Sequence, residues 1–229
     1  MLTLREIGVY RSALKSKFGA PKQSGLAPAL VGEVEFVGEF AAYAEEALRG
    51  IDGYDYLWLL WGFSANAHEA ASPVVRPPVL GGNVRMGVFA TRSPYRPNPI
   101  GLSSVRLLGV ERDAERGWLL RVSGADLIDG TPIYDIKPYL PYADAHADAR
   151  GGFSETVGRS PLHVELAPGI EDAVDADTLE AICEVLSLDP RPQYHTDASR
   201  VYGMRFGEYE VKFRVADGVV FLTRVHRIG

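Results

Sequence analysis

MGVFATRSPYRPNPIGLSSVRLLGVERDAERGWLLRVSGADLIDGTPIYD, residues 86–135, alternates short apolar runs with Pro, Gly and Asp punctuation. Within it Ser103 to Glu111 and Gly117 to Ser123 have the length and bounding residues of strands. Outward from this stretch the same pattern recurs at Glu6 to Tyr10, Glu33 to Gly38, Tyr54 to Trp61 and Arg85 to Ala90. That spacing predicts a mainly β chain, a barrel or a sandwich. One helix is expected between the strands, over Glu39 to Arg49, because Phe40, Tyr43, Ala44, Ala47 and Leu48 share a helical face and Gly50 follows. From Ala143 to Glu184 ten acidic residues face two basic ones, and Gly151-Gly152 and Pro168-Gly169 interrupt the chain. A first domain over 1–146, a solvated linker over 147–158 and a smaller α+β domain over 159–229 are therefore expected. In the last of these, Ala176 to Leu188 reads as a helix, and Val201 to Val215 with Val219 to Val225 as a hairpin turning at Asp217-Gly218.

The quoted stretch also carries the polar groups that suggest a site. Arg92 and Arg96 flank Ser93, Pro94 and Tyr95, and Pro97, Asn98, Pro99 and Gly101 follow. Each proline fixes its own φ and disfavours helix in the residue before it, so the arginines leave a stiff loop. From Ala70 to Val110 there are five arginines and no acid, whereas the whole chain has net charge −6, which leaves the remainder at −11 by subtraction. A solvated basic loop has this composition, and so does an anion-binding loop. A second polar motif, Asp126-Leu-Ile-Asp-Gly-Thr-Pro132, follows one strand later.

Composition removes several function classes. With 229 residues and 46% hydrophobic content the chain can build a proper core. No apolar run approaches membrane-spanning length, and the N-terminus lacks the features of a secretory signal. Cys183 is alone, so no intrachain disulfide is possible and a cytoplasmic setting is expected. No two glycines are separated by a single residue, which excludes the Rossmann GxG turn. Gly82 and Gly87 have P-loop spacing, but Val88-Phe89 stands where Lys-Ser/Thr would grip phosphate. The histidines (His68, His146, His163, His195, His226) form no helical i,i+4 pair, so no metal is expected. No GxSxG elbow occurs.

ATRSPYRPNPIGLS (residues 90–103) and DLIDGTPIYDIKPYLPYAD (residues 126–144) resemble the TsaA/TrmO-like family. IGVYRS (7–12), KFGAPKQSGL (17–26), VRPPVLGGNVRMGVF (75–89) and ICEVLSLDPRPQY (182–194) are similar to further family segments, so the resemblance covers nearly the whole chain. It implies a small antiparallel β-barrel that binds S-adenosylmethionine, acts as a homodimer and methylates N6 of threonylcarbamoyladenosine at position 37, in the anticodon loop of tRNA. Carried over by residue, the cofactor positions are Pro21, Lys22 and Gln23, with Lys for the family's Arg, then Arg92, Leu102, Asp129, Gly130, Thr131 and Pro132. Where relatives often carry His and Gln this chain has Ser64 and Ala65, which leaves only backbone groups there.

Physical roles can be set beside that resemblance. A sulfonium cation repels arginines, so Arg92 and Arg96 are expected to face anions: the methionine carboxylate, an RNA phosphate or the threonylcarbamoyl carboxylate. Asp126 and Asp129, or carbonyls of the Ile-Asp-Gly-Thr-Pro turn, suit the cation, and Asp129-Gly130 equally suits a plain tight turn. Asp126, Asp135 and Tyr95 are the catalytic candidates, with no base singled out among them. Arg96, Asn98, Lys137, Tyr139, Arg191 and Arg205 are candidates for the RNA, and Tyr95, Tyr134, Tyr139 and Tyr142 for stacking a splayed base. Two rivals remain open, a non-catalytic RNA-binding adaptor and a methyltransferase for another substrate on the same scaffold. If the two domains divide the labour, a chain cut after about residue 150 keeps cofactor binding but binds tRNA more weakly and with a smaller salt dependence.

Overall fold

The computed structural model describes residues 3–65, 72–155, 160–192, 195 and 197–228. In chain order the elements are β1 (Gly8–Ser12), β2 (Val31–Phe36), α1 (Gly38–Ala42), α2 (Ala44–Ala47), β3 (Tyr56–Gly62), β4 (Val74–Val75), β5 (Met86–Gly87), β6 (Ile100–Asp113), β7 (Gly117–Ser123), β8 (Thr131–Pro138), α3 (Pro141–Asp144), β9 (His163–Leu166), α4 (Ile170–Ala173), α5 (Ala176–Ser187), β10 (Tyr202–Phe206), β11 (Tyr209–Ala216) and β12 (Val219–Arg227). Six strands close an antiparallel barrel in the order β1-β2-β7-β6-β3-β8, with β8 pairing back to β1. The expected mainly β fold is present. No parallel βαβ unit occurs in the barrel.

Alternation along each strand fills the barrel. On β6, Gly101, Ser103 and Val105 point inward, and on β3, Leu57, Leu59 and Trp61 do the same. Small and large inward residues offset one another, as the taper of a narrow barrel requires. Gly32 of β2 shows this at one position, since a Cβ built there would lie 2.1 Å from the hydroxyl of Tyr10, the wholly buried ring that occupies the space. The barrel core joins Tyr10, Val34, Leu57, Leu59, Trp61, Leu120, Val122 and Ile133, with Ala44 and Leu48 packed against it.

Several expectations from the sequence are corrected. The single helix over Glu39 to Arg49 is two short ones that break at Tyr43, because only Ala44 and Leu48 of its apolar stripe are buried, and burial is what holds a helix this short. The strand over Arg85 to Ala90 is only the two residues of β5 followed by a 3-10 turn. Among the described residues its strand partner is the two-residue β4, and Phe89 is 81% exposed. The turn expected at Asp129-Gly130 is present, and it leads directly into β8, a full strand that the pattern of the sequence did not mark. The C-terminal hairpin is a three-stranded meander broken at Gly207-Glu208, with β9 added parallel to β12. Residues 147–155 of the expected linker are mostly exposed and include a 3-10 turn at Gly152–Glu155, and residues 156–159 lie outside the described residues.

The C-terminal sheet packs α5 against its inner face and builds a second core from Ile182, Val185, Leu186, Met204, Phe206, Val211, Phe213 and Leu222. Leu14, Ala27 and Leu30, from the loop between β1 and β2, belong to this second core. Main-chain pairing continues the union, with Gly207 N–H donating to Ala13 O at 2.6 Å. The barrel and the C-terminal sheet are thus joined through a shared segment, and the acidic stretch between them does not hold them apart. No helix among the described residues is long and apolar enough to cross a membrane.

Candidate functional site

A cleft of about 160 Å³ opens at one end of the barrel, lined by Lys17 and Ala20 of the β1–β2 loop, by Trp61, Gly62, Phe63, Ser64 and Ala65 at the end of β3, by Pro94, and by Asp126, Leu127, Ile128 and Thr131. The chain reaches this arrangement because β3 and β6 run antiparallel in strict register, Trp61 opposite Gly101 and Leu60 opposite Leu102. Their ends therefore bring the Arg/Pro loop up beside Phe63, whose N–H donates to Pro99 O at 3.1 Å.

The floor of the cleft is a chain of polar groups. Trp61 Nε1 donates to Ser103 Oγ at 2.9 Å, and Ser103 Oγ donates to Asp126 Oδ1 at 2.5 Å. Burial pushes the Asp126 carboxyl above the ordinary carboxylate range, against the Ser103 hydroxyl, its own backbone N–H and the charge of Arg92, which all pull it down. A carboxyl raised in this way holds or releases a proton closer to neutrality than a free one does. Behind it, the buried Tyr10 hydroxyl is pushed to still harder ionisation, first by burial and then by the Asp126 charge.

Near the cleft, outside its lining residues, two distant segments meet: Arg92 Nη1 donates to Gln23 Oε1 at 2.5 Å, and Gln23 Nε2 donates to Lys22 O at 2.5 Å. Pro21 is buried and Lys22 exposed. The Arg/Pro loop is stiffened by more than its prolines. Thr91 Oγ1 donates to Val88 O at 2.9 Å and accepts from Ser93 N–H, Ser93 Oγ accepts from Tyr95 N–H, and Arg96 Nη1 donates to Thr91 O at 3.1 Å. Tyr95 and Asn98 stay exposed at its tip.

Other sequence candidates sit elsewhere. Asp129 accepts from Ser12 N–H at 3.0 Å and pairs with Lys15 Nζ at 2.9 Å, so its carboxyl stays below the ordinary range even though partial burial, the largest effect on it, opposes this. It faces a separate groove with Arg11, Lys15 and Arg116 and does not line the cleft. Gly130 has φ 79°, and its N–H reaches Tyr10 O at 2.8 Å, which makes the plain turn the structural role of Asp129-Gly130. Thr131 lines the cleft with its hydroxyl bonded to Ile128 O, and Pro132 pairs with Val9. Leu102 is 54% exposed on the outer face of β6. Asp135 is salt-bridged to Lys137 at 2.8 Å, and Tyr139 packs on Trp58 and Tyr56. Arg191 pairs with Asp189, and Arg205 Nε donates to Gly207 O. Reasoning from sequence missed Lys17, Trp61 and Ser103. A serine at an inward barrel position is the signal for the last, and it is visible only once the register is known.

Because the Ser103 hydroxyl stabilises the charged form of Asp126, its removal has a definite sign. Ser103→Ala is expected to move the Asp126 carboxyl titration, followed by carbon NMR, to higher pH. An unchanged or lower midpoint would show that the hydrogen bond does not govern this group.

Comparison with known proteins bears on what such a site belongs to. Residues 9–145 match the family described as tRNA-methyltransferase O N-terminal domain, and residues 160–228 match the TrmO C-terminal domain. The chain is 39% identical over 223 residues to a tRNA (adenine(37)-N6)-methyltransferase of Escherichia coli K12, covering 93% of this chain and 92% of that one. It is 43% identical over 212 residues to a putative S-adenosylmethionine-dependent methyltransferase, RcsF, of Pseudomonas aeruginosa, covering 90% and 89%. The crystal structure of TrmO from Pseudomonas aeruginosa superposes with a TM-score of 0.79 at 34% identity over 98% of both chains. With both of its parts matched and its architecture reproduced, the chain belongs to the tRNA-methyltransferase O family.

Proposed function

We propose that this chain methylates N6 of the adenosine at position 37 of tRNA, with the threonylcarbamoylated base as its substrate and S-adenosylmethionine as methyl donor, in the cytoplasm. The observation that carries the reading is the cleft itself: a raised carboxyl at its floor, acted on by the charge of Arg92, in a chain whose relatives bear names for tRNA adenine-37 N6 methylation and for S-adenosylmethionine dependence. The residues present fit the donor. Arg92 and Lys17 suit its carboxylate, the Asp126 charge suits its sulfonium, and Trp61 and Phe63, with ring centroids 4.4 Å apart, offer an apolar wall to the rest. Bound there, S-adenosylmethionine supplies the methyl carbon that N6 takes, with the thioether leaving.

The work left to the chain is alignment and proton removal. A carbamoylated N6 is a poor nucleophile until its proton departs, and the raised carboxyl of Asp126 supports a role as the acceptor that takes it. Tyr95, 47% exposed at the tip of the stiff loop, is available to stack the splayed base, with Arg96 and Asn98 beside it for the threonylcarbamoyl carboxylate or a phosphate. Asp129 and Gly130 serve by holding the turn that presents Asp126 and Thr131.

Tritium transfer from labelled donor to tRNA with and without the threonylcarbamoyl group, followed by nucleoside mass analysis, tests the substrate. Label is expected on the modified tRNA alone, and equal labelling of both would overturn that detail. Arg92→Ala should lower kcat/KM by roughly 10- to 100-fold, the value of a hydrogen bond to a charged group, with circular dichroism unchanged. Wild-type turnover in that variant would remove Arg92 from the site.

Assembly as a homodimer is part of the proposal. At about 160 Å³ the cleft is smaller than the roughly 300–1,000 Å³ of sites that enclose a ligand of this size, which supports a second copy covering the remainder. Leu102 and Ile100, exposed on the outer face of β6 and paired with Leu60 and Gly62 of β3, offer the apolar surface where such a copy would sit. Light scattering should report twice the chain mass at micromolar concentration, and a fully active monomer would contradict it.

The outer face of the C-terminal sheet is the proposed docking surface for the tRNA body. Alternation puts Arg205, Lys212, Arg214 and Arg224 on that face, with Lys212 directly opposite Arg224. Arg205→Glu with Lys212→Glu should weaken tRNA binding roughly tenfold or more at low salt and flatten its salt dependence. Wild-type affinity in the double variant would end the docking role.

A further inference from the structure

We infer that the C-terminal domain is a positioning element for the cofactor cleft, acting through Glu184 of α5 on the loop between β1 and β2. The inference rests on reading the cleft as the S-adenosylmethionine site. That loop, residues 13–30, makes one wall: Lys17 and Ala20 line the cleft directly, and Gln23 accepts from Arg92. It has little secondary structure of its own, so its shape depends on what it packs against. Leu14, Ala27 and Leu30, all about 1% exposed, are sunk among Ile182, Val185, Leu186 and Phe206 of the C-terminal domain, with Phe18 and Ala20 packed partly on the same core. Phe18 lies over the Tyr202 and Phe213 rings at centroid distances of 6.4 and 6.3 Å. The chain therefore places Lys17 and Ala20, on either side of Phe18 and Gly19, in the cleft by anchoring the residues between them to the other domain.

The polar tie is specific. Glu184 Oε2 accepts the Ala29 N–H at 2.6 Å, 155 residues away in sequence, and satisfies a loop donor that no strand partner reaches. Leu14 completes the anchorage by an isolated antiparallel bridge to Phe206, and its carbonyl accepts the N–H of Asp129, the residue that opens the turn below Asp126. Both the loop that carries Gln23 and the turn that follows Asp126 are thus referred to one frame, and that frame is the C-terminal core. A chain cut after about residue 150 would expose Leu14, Ala27 and Leu30 and lose Glu184. On this inference such a fragment loses cofactor binding, contrary to the expectation that it keeps it.

The test uses the full chain. S-adenosylmethionine affinity is measured by calorimetry for wild type, Glu184→Ala and Glu184→Gln, with hydrogen exchange of residues 13–30 followed in each and tRNA binding measured in parallel. Glu184→Ala is expected to weaken S-adenosylmethionine binding roughly tenfold and to speed exchange of the loop, while α5 stays protected and tRNA affinity stays within twofold. Glu184→Gln, which keeps an acceptor oxygen, should restore binding to near wild type. A wild type that binds no S-adenosylmethionine would fault the cofactor reading itself. Unchanged affinity in Glu184→Ala, or failure of Glu184→Gln to restore it, would overturn the positioning role and leave the cofactor reading standing. Should Glu184→Ala not fold, exchange in the wild type decides: rapid exchange of residues 13–30 alongside a protected α5 would refute the anchorage.

Discussion

β8 closes the barrel, and the cleft depends on how that closure is started. The strand pairs with β1 on one edge and β3 on the other, so its first residues must enter in register with both. The Asp129 carboxylate enforces this by accepting from Ser12 N–H at the end of β1, while Gly130 N–H reaches Tyr10 O. A barrel without that fastening would leave an unpaired edge and a wandering turn. With it, Thr131 and Asp126 are presented to the cleft from a fixed backbone.

The electrostatics follow from which acid was committed to which task. Two aspartates three residues apart have opposite displacements: Asp129, salt-bridged to Lys15, is held low, and Asp126 is held high by burial even against its hydrogen bond from Ser103. Separation of this kind is how one short motif supplies both a structural carboxylate and a group able to take a proton. The arginine of the stiff loop lowers Asp126 while donating to Gln23, so a single side chain links the loop between β1 and β2 to the cleft floor.

The two cores share the segment between β1 and β2, which explains why a chain with a separate acidic connector does not come apart into two independent units. A loop of this length could not keep Lys17 and Ala20 in the cleft by local hydrogen bonds alone. It borrows rigidity from a core it helps to fill.

Much of this was legible in the amino-acid order. Strand-length runs bounded by Gly and Pro marked β6 and β7, the helical period over residues 176–188 marked α5, and the Arg/Pro and Ile-Asp-Gly-Thr-Pro motifs marked the neighbourhood of the cleft, because local periodicity and backbone restriction are properties of neighbouring residues. What the sequence could not separate was function from fastening within a motif. Asp126 and Asp129 look alike in the chain, and Lys17, Trp61 and Ser103 look like loop and core. Their roles came from contacts spanning 23 to 155 residues, Ser103 to Asp126, Trp61 to Ser103, Gln23 to Arg92 and Ala29 to Glu184. Only barrel register and the packing of one core on another create those contacts, so tertiary structure alone decided which carboxylate is buried and which is bridged.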